Sequence, residues 1–219
     1  MPQSVDNART VRRRWPLISG ASALAIGSLL GLLVLVRGNN PLEIDAEWME
    51  EITENRTIWL EVPSYFFNFV GGGLFATILA LALTVLFLIL KRPWTALYIA
   101  AASLASVTIV HLLKAALGRA RPDDIMLSLD SGSFPSGHTA NAATLAVILG
   151  IIVWRWWVWA LGAVYVVLMA LSRTYLGAHW VTDTVGGLLI GAGIAVIVWA
   201  PFVLRILAER HRRKDLAAS

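Results

Sequence analysis

The feature that most constrains this chain is the recurrence of apolar runs as long as a bilayer is thick. Residues 17–36 are twenty consecutive residues without a charge, and at about 1.5 Å per helical residue such a run crosses a hydrocarbon core of about 30 Å. Similar runs cover 66–90, 94–117 and 136–153, a fifth ends near Leu171, and a sixth covers 180–203. With 58% hydrophobic and 15% charged residues, the chain is too apolar for an ordinary soluble domain. Lipid offers the backbone no hydrogen-bond partners, so each run must satisfy its own peptide groups. The expected fold is all-α, a six-transmembrane-helix bundle forming one domain over residues 1–219.

The first run is longer than the apolar core of a secretory signal and lacks a small-residue cleavage site, so it reads as a retained anchor. Between the first two runs, Ile44, Trp48, Ile52 and Trp59 recur near helical spacing among Glu47, Glu50, Glu51 and Glu54. Segment 42–62 therefore reads as an amphipathic helix, lying either on the membrane surface or packed on the protein. Gly71, Gly72 and Gly73 near the start of the second span permit close helix approach or a local bend. Trp154, Trp156, Trp157 and Trp159 surround Arg155 as an interfacial aromatic belt with a short turn in it.

Six spans place both termini on one side, and charge chooses the side. Assigning the basic leader 1–16, the loop at Lys91, the turn at Arg155 and the basic tail 204–219 to the cytoplasm collects twelve of the 18 Lys and Arg residues but three of the 14 acids. The Lys/Arg excess predicts N-in/C-in, with segment 42–62 in the first extracytoplasmic loop. The same distribution accounts for the net charge of +4 without nucleic acid as a partner. The absence of cysteine removes disulfides, thiolate metal sites and cysteine nucleophiles.

This topology gathers three polar groups at the outer face. Lys114, Arg121 and Arg173 lack a matching number of neighbouring acids, and together they suit an anionic ligand: arginine offers a planar fork to phosphate oxygens, lysine a compact charge. Pro135-Ser136-Gly137-His138 precedes an apolar run, where Ser136 or a neighbour caps the helix and Gly137 lets the backbone approach an anion. His179 and Asp183 are four apart, a spacing that stacks them on one helix face; the carboxylate then fixes the imidazole tautomer and leaves the other nitrogen free to attack phosphorus. Gly187 and Gly191 continue that stripe and allow a neighbouring helix to pack closely. His138 is the candidate for protonating a leaving oxygen. His111 reads as a pore or core histidine; a metal site built from His111, His138, His179 and Asp183 is disfavoured by the three cations around the same cavity.

These residues resemble the three-part signature of the type-2 phosphatidic acid phosphatase family. Its first part, a lysine, six residues and Arg-Pro, matches Lys114 to Arg121 and Pro122; PSGH matches Pro135 to His138; and Ser-Arg, five residues, His, three residues, Asp matches Ser172, Arg173, His179 and Asp183. The resemblance implies a phosphohistidine mechanism, with His179 as nucleophile, Asp183 orienting it and His138 as acid. Lys114, Arg121, Ser136, Gly137 and Arg173 hold the phosphate, and no metal or other cofactor takes part. It also implies a lipid phosphate substrate, such as phosphatidic acid, phosphatidylglycerol phosphate or a polyprenyl diphosphate, met from the extracytoplasmic side. A phosphohistidine is discharged to water or to an acceptor, so a lipid-linked phosphotransferase fits the same residues. A transporter or anion channel fits less well, because the polar groups gather at one end of the spans. Compact size and the missing cysteine point to a bacterial plasma membrane.

The metal-free reading has a direct check. Phosphate release from a lipid phosphate should proceed unchanged in excess EDTA, and a loss restored by a divalent cation would contradict it.

Overall fold

Among the described residues, nine helices form, most of them where the apolar runs and their capping residues place them. A computed structural model describes residues 2–127 and 132–218, with side chains described from residue 14 to residue 210 outside that gap. The expected cytoplasmic leader therefore falls largely outside the described side chains, as does the end of the tail, while part of the loop after Pro122 is outside the description altogether. In chain order the helices are α1 (Pro2–Val36), α2 (Glu43–Glu54), α3 (Ile58–Gly71), α4 (Gly73–Ile89), α5 (Pro93–Leu117), α6 (Gly137–Val153), α7 (Trp156–Tyr175), α8 (Val181–Trp199) and α9 (Val203–Ala218). No strand occurs among the described residues.

Local chemistry sets the ends. Pro93 opens α5, where its missing N–H leaves no intrahelical bond unmade, and Gly118 closes it in the left-handed conformation at φ +55°. The Ser136 hydroxyl caps α6 by accepting from Thr139 N at 3.4 Å. Trp154 (φ +56°) caps the end of α6 and Arg155 caps the start of α7, so the turn inside the tryptophan belt is very short.

Among the described residues, four helices are long and apolar enough to cross a membrane, and the pair α3 and α4 forms a fifth candidate if counted as one broken span. The second run, expected as one helix over 66–90, is instead two helices bent by 51° about Gly72, the glycine cluster supplying the bend. The sixth, expected over 180–203, stops at Trp199, and α9 begins at Val203 after a turn. α6, at 17 residues, is a shorter apolar helix. The chain is a multi-pass membrane protein.

Segment 42–62 divides between α2 and the first turn of α3. α2 packs on the protein through Asp45 and Met49, while Ile44 and Trp48 face outward. The apolar pattern thus marked the exposed side, and an acid anchors the buried one.

Small residues bring the central helices together. α1 runs antiparallel to α8, with Gly20 against Gly193 and Ile197 and Gly27 against Ile190. α6 runs parallel to α8: Gly187 lies against the Ser136 carbonyl and Gly191 against that of Ala140, while Thr144 Oγ1 donates to Gly191 O at 3.1 Å. Such backbone approach substitutes close packing for the hydrophobic drive that lipid does not supply. Phe134 is wedged between Gly31 and Gly186 and holds the turn before α6. At the opposite end, Glu209 of α9 accepts from the free backbone N–H groups of Trp94 and Thr95 at 2.7 and 3.1 Å, capping α5 from outside.

A side chain at Gly191 would run into the carbonyl of Ala140 and come within 2.8 Å of its Cα. Gly191→Val should therefore destabilise the protein by about 1–3 kcal/mol, read as a lower unfolding temperature in detergent.

Candidate active site

The site lies where α5 ends, α6 begins, α7 ends and α8 begins, so one end of the bundle collects side chains from four helices. Lys114, in the last turn of α5, is buried and donates from Nζ to the carbonyls of Gly132 (2.6 Å) and Ser133 (3.2 Å). Gly137 presents its Cα beside this lysine, a hypothetical Cβ there lying 4.0 Å from Lys114 Cε. Arg121 donates from Nη1 to the carbonyl of Ala178, and its Nη2 is 3.4 Å from Gly132 O. Arg173, fully buried in the last turn of α7, donates from Nη1 to Asn68 Oδ1, while Nε and Nη2 have no hydrogen-bond partner. These hydrogen bonds go to carbonyl and amide oxygens. Three basic side chains drawn together at one end of an apolar bundle suit an anion.

His179 does not sit on the helix that its spacing to Asp183 suggested. α7 ends at Tyr175, Gly177 turns the chain at φ +63°, and α8 begins at Val181. Gly177 has no room for a side chain, since a Cβ would lie 2.6 Å from Asp124 O. Asp183, in the first turn of α8, accepts from Trp180 N through Oδ2 at 2.9 Å, and the same oxygen faces His179 Nδ1 at 3.5 Å. The other ring nitrogen, Nε2, lies 3.4 Å from Arg121 Nη1. A guanidinium only donates, so Nε2 carries the lone pair and Nδ1 the proton. Burial, followed by the charges of Lys114, Arg173 and Arg121, holds the imidazole well below its ordinary pKa. The result is a neutral ring whose unprotonated nitrogen points into the cation cluster.

His138 Nε2 is 3.2 Å from the backbone carbonyl of Asn68. A carbonyl only accepts, so this nitrogen carries a proton. Ser136, fully buried, commits its hydroxyl oxygen to the α6 cap and donates its N–H to Asp183 O at 2.9 Å, tying the α6 turn to α8. The structure thus brings together Lys114, Arg121, Ser136, Gly137, His138, Arg173, His179 and Asp183. His111 is different: it is exposed on α5 rather than in a pore or core, because one face of this helix is turned outward there.

Two residues at the site escaped the sequence reading. Asn68, near the end of α3, holds Arg173 through its side chain and His138 through its carbonyl; its only signal was a polar residue within an apolar run. Arg119 looked like one more loop charge, yet it is buried and donates from Nη1 to Asp183 Oδ1 at 2.6 Å.

The fold and the site together define a multi-helix membrane protein with a buried cluster of basic and imidazole side chains at one end of the bundle. The chain belongs to the PAP2 superfamily, whose profile matches residues 95–207, more than half its length. It is 40% identical over 65 residues to an undecaprenyl-diphosphatase of Sulfolobus acidocaldarius, covering 30% of this chain and 31% of that protein. It is 37% identical over 90 residues to phosphatidylglycerophosphatase B of Bacillus subtilis, covering 36% and 44%. The matches thus span less than half the length of these two curated relatives. The crystal structure of a transmembrane PAP2 type phosphatidylglycerolphosphate phosphatase from Bacillus subtilis superposes with a TM-score of 0.73 at 25% identity, over 82% of this chain and 94% of that one.

The depressed basicity of His179 fixes a direction for the pH dependence. The ring becomes protonated only as pH falls through its lowered value, so kcat/KM should show no loss attributable to His179 between pH 8 and its ordinary pKa of about 6.5. An acid limb near 6.5 in kcat/KM that coincides with protonation of the His179 ring, read by 15N NMR, would contradict this assignment.

Proposed function

We propose that this protein is a membrane lipid phosphatase that hydrolyses a phosphomonoester or diphosphate of a lipid through a phosphohistidine intermediate. The observation that carries the reading is the placement of His179, whose Nε2 lies 3.4 Å from Arg121 Nη1 and whose Nδ1 faces Asp183 Oδ2 at 3.5 Å, in a cluster that also holds Lys114 and Arg173. Phosphoryl oxygens take the place of the carbonyl partners that now hold these cations. Nε2 attacks phosphorus as the bond to the leaving oxygen breaks, and His138, which takes up a second ring proton when the phosphate anion binds, gives one to that oxygen and becomes neutral. His138 then accepts a proton from water, whose oxygen attacks phosphorus and breaks the N–P bond, releasing phosphate and restoring His179. Asp183 stabilises the positive charge that develops on the ring. The three cations supply the transition-state charge compensation that a metal otherwise provides.

A cavity of about 350 Å³ supports a lipid substrate. It runs from Val70 and Gly71, beside His138, down between α4, α5 and α6 past Leu83, Leu104 and Ile148, and its lining suits an acyl or prenyl chain. The names of the relatives point the same way. Counting α6 and the bent pair as spans gives six, and the Lys/Arg distribution then faces the site outward from the cell membrane. Phosphatidylglycerol phosphate, phosphatidic acid and undecaprenyl diphosphate are the substrates that fit.

Purified protein should release phosphate from at least one of these three lipids. His179→Ala should lower the rate by on the order of a thousandfold or more and eliminate the acid-labile phosphoenzyme. Near-normal turnover by that variant would remove His179 as nucleophile, and no release from any of the three would remove the substrate class.

A further inference from the structure

Asp45 belongs to the loop helix α2, far in sequence from every motif residue, yet it is fully buried. It lies against the carboxylate that faces His179 by way of one shared guanidinium. Arg119 Nη1 donates to Asp183 Oδ1 at 2.6 Å and to Thr182 Oγ1 at 2.8 Å; Nη2 donates to Asp45 Oδ2 at 2.8 Å. Asp45 also accepts from Thr182 N (2.9 Å) through Oδ1 and from Thr182 Oγ1 (2.7 Å) through Oδ2. It therefore caps, from another element, the first turn of the helix that carries Asp183.

From this geometry we propose that Asp45 and Arg119 are positioning residues for Asp183, so that α2 is a working part of the active site. The proposal rests on the phosphohistidine reading. Burying two carboxylates around one guanidinium leaves one negative charge in excess, and that charge is presented to His179 through Asp183 Oδ2. The division of the fork matters. While Nη2 is held by Asp45, Arg119 occupies only Oδ1 of Asp183, and Oδ2 accepts from Trp180 N and faces His179 Nδ1 at 3.5 Å. Without Asp45 the second arm of the fork is drawn to the remaining carboxylate, a bidentate pairing that arginine favours, and Oδ2 is withdrawn from the imidazole. The opposing groups around His179 are Lys114 from α5, Arg121 from the loop, Arg173 from α7 and His138 from α6, and Asp183 is the acid facing its ring.

The test uses the full-length protein labelled with 15N-histidine, with the His179 signal assigned by its absence from His179→Gln. Wild type should show His179 as a single neutral tautomer with the proton on Nδ1. Asp45→Asn should convert it to a mixture of tautomers and lower kcat by on the order of tenfold or more, with KM within about twofold of wild type. Glu47→Gln removes the same charge from an exposed position on the same helix and should change neither reading. The proposal is overturned if wild-type His179 carries its proton on Nε2, an outcome that needs no variant to fold. It is equally overturned if Asp45→Asn loses activity only in proportion to its folded fraction while the His179 signal is unchanged. The spectrum is read without substrate, so a failure to release phosphate from any lipid would count against the proposed function and leave this result standing.

Discussion

The structure depends on an electrostatic imbalance at one end of an apolar bundle. Lys114, Arg121 and Arg173 gather there and donate to carbonyl and amide oxygens. Neutral partners of this kind are exchanged for a ligand's oxygens at little electrostatic cost, whereas a carboxylate would have to be displaced against its own attraction. The carboxylates in the region serve a different cation, Arg119, one layer behind. Separating these layers keeps the front positive and the rear negative, with His179 between them. The imidazole accordingly stays neutral at rest and gains a counter-charge when it becomes cationic.

Holding that arrangement requires rigid helix ends, and close packing supplies them. Gly187 and Gly191 let α6 and α8 touch backbone to backbone, and the glycines of α1 do the same along the far side of α8. The start of α6 is fixed three times over, by its own serine cap, by the amide bond to Asp183 O and by Phe134 between two glycines. Each contact is local, yet their sum places residues from four helices within reach of one anion.

Much of this was legible in the sequence because polar groups are conspicuous in an apolar chain. Lys114, His138, Arg173 and Asp183 stand out against their surroundings, and the apolar runs mark α5 and α6 to within a residue and α8 to within a few. What stayed hidden has physical reasons. The spacing of His179 and Asp183 matches a helix, but Gly177 turns the chain and leaves the histidine just outside α8. Asp45 was one acid among many on a segment whose aromatic and aliphatic residues advertised the opposite face, and its burial depends on Arg119, whose own role shows only in three dimensions. Asn68 owes its position to the bend at Gly72, an angle that composition permits without specifying.

The shortness of α6 sets the depth at which chemistry takes place. Its 17 residues extend about 25 Å, less than a hydrocarbon core of about 30 Å, and the tryptophans around Arg155 anchor its far end at an interface. In the topology proposed above, the end that bears His138 stops below the opposite headgroup plane. Under the proposed function, an incoming lipid phosphate must then sink several ångströms past its neighbours in the leaflet and shed water as it goes. A freely dissolved phosphate ester has no hydrocarbon tail to offset that descent. Immersion depth thus becomes a filter on what reaches the histidine, one that acts before any side chain recognises a headgroup.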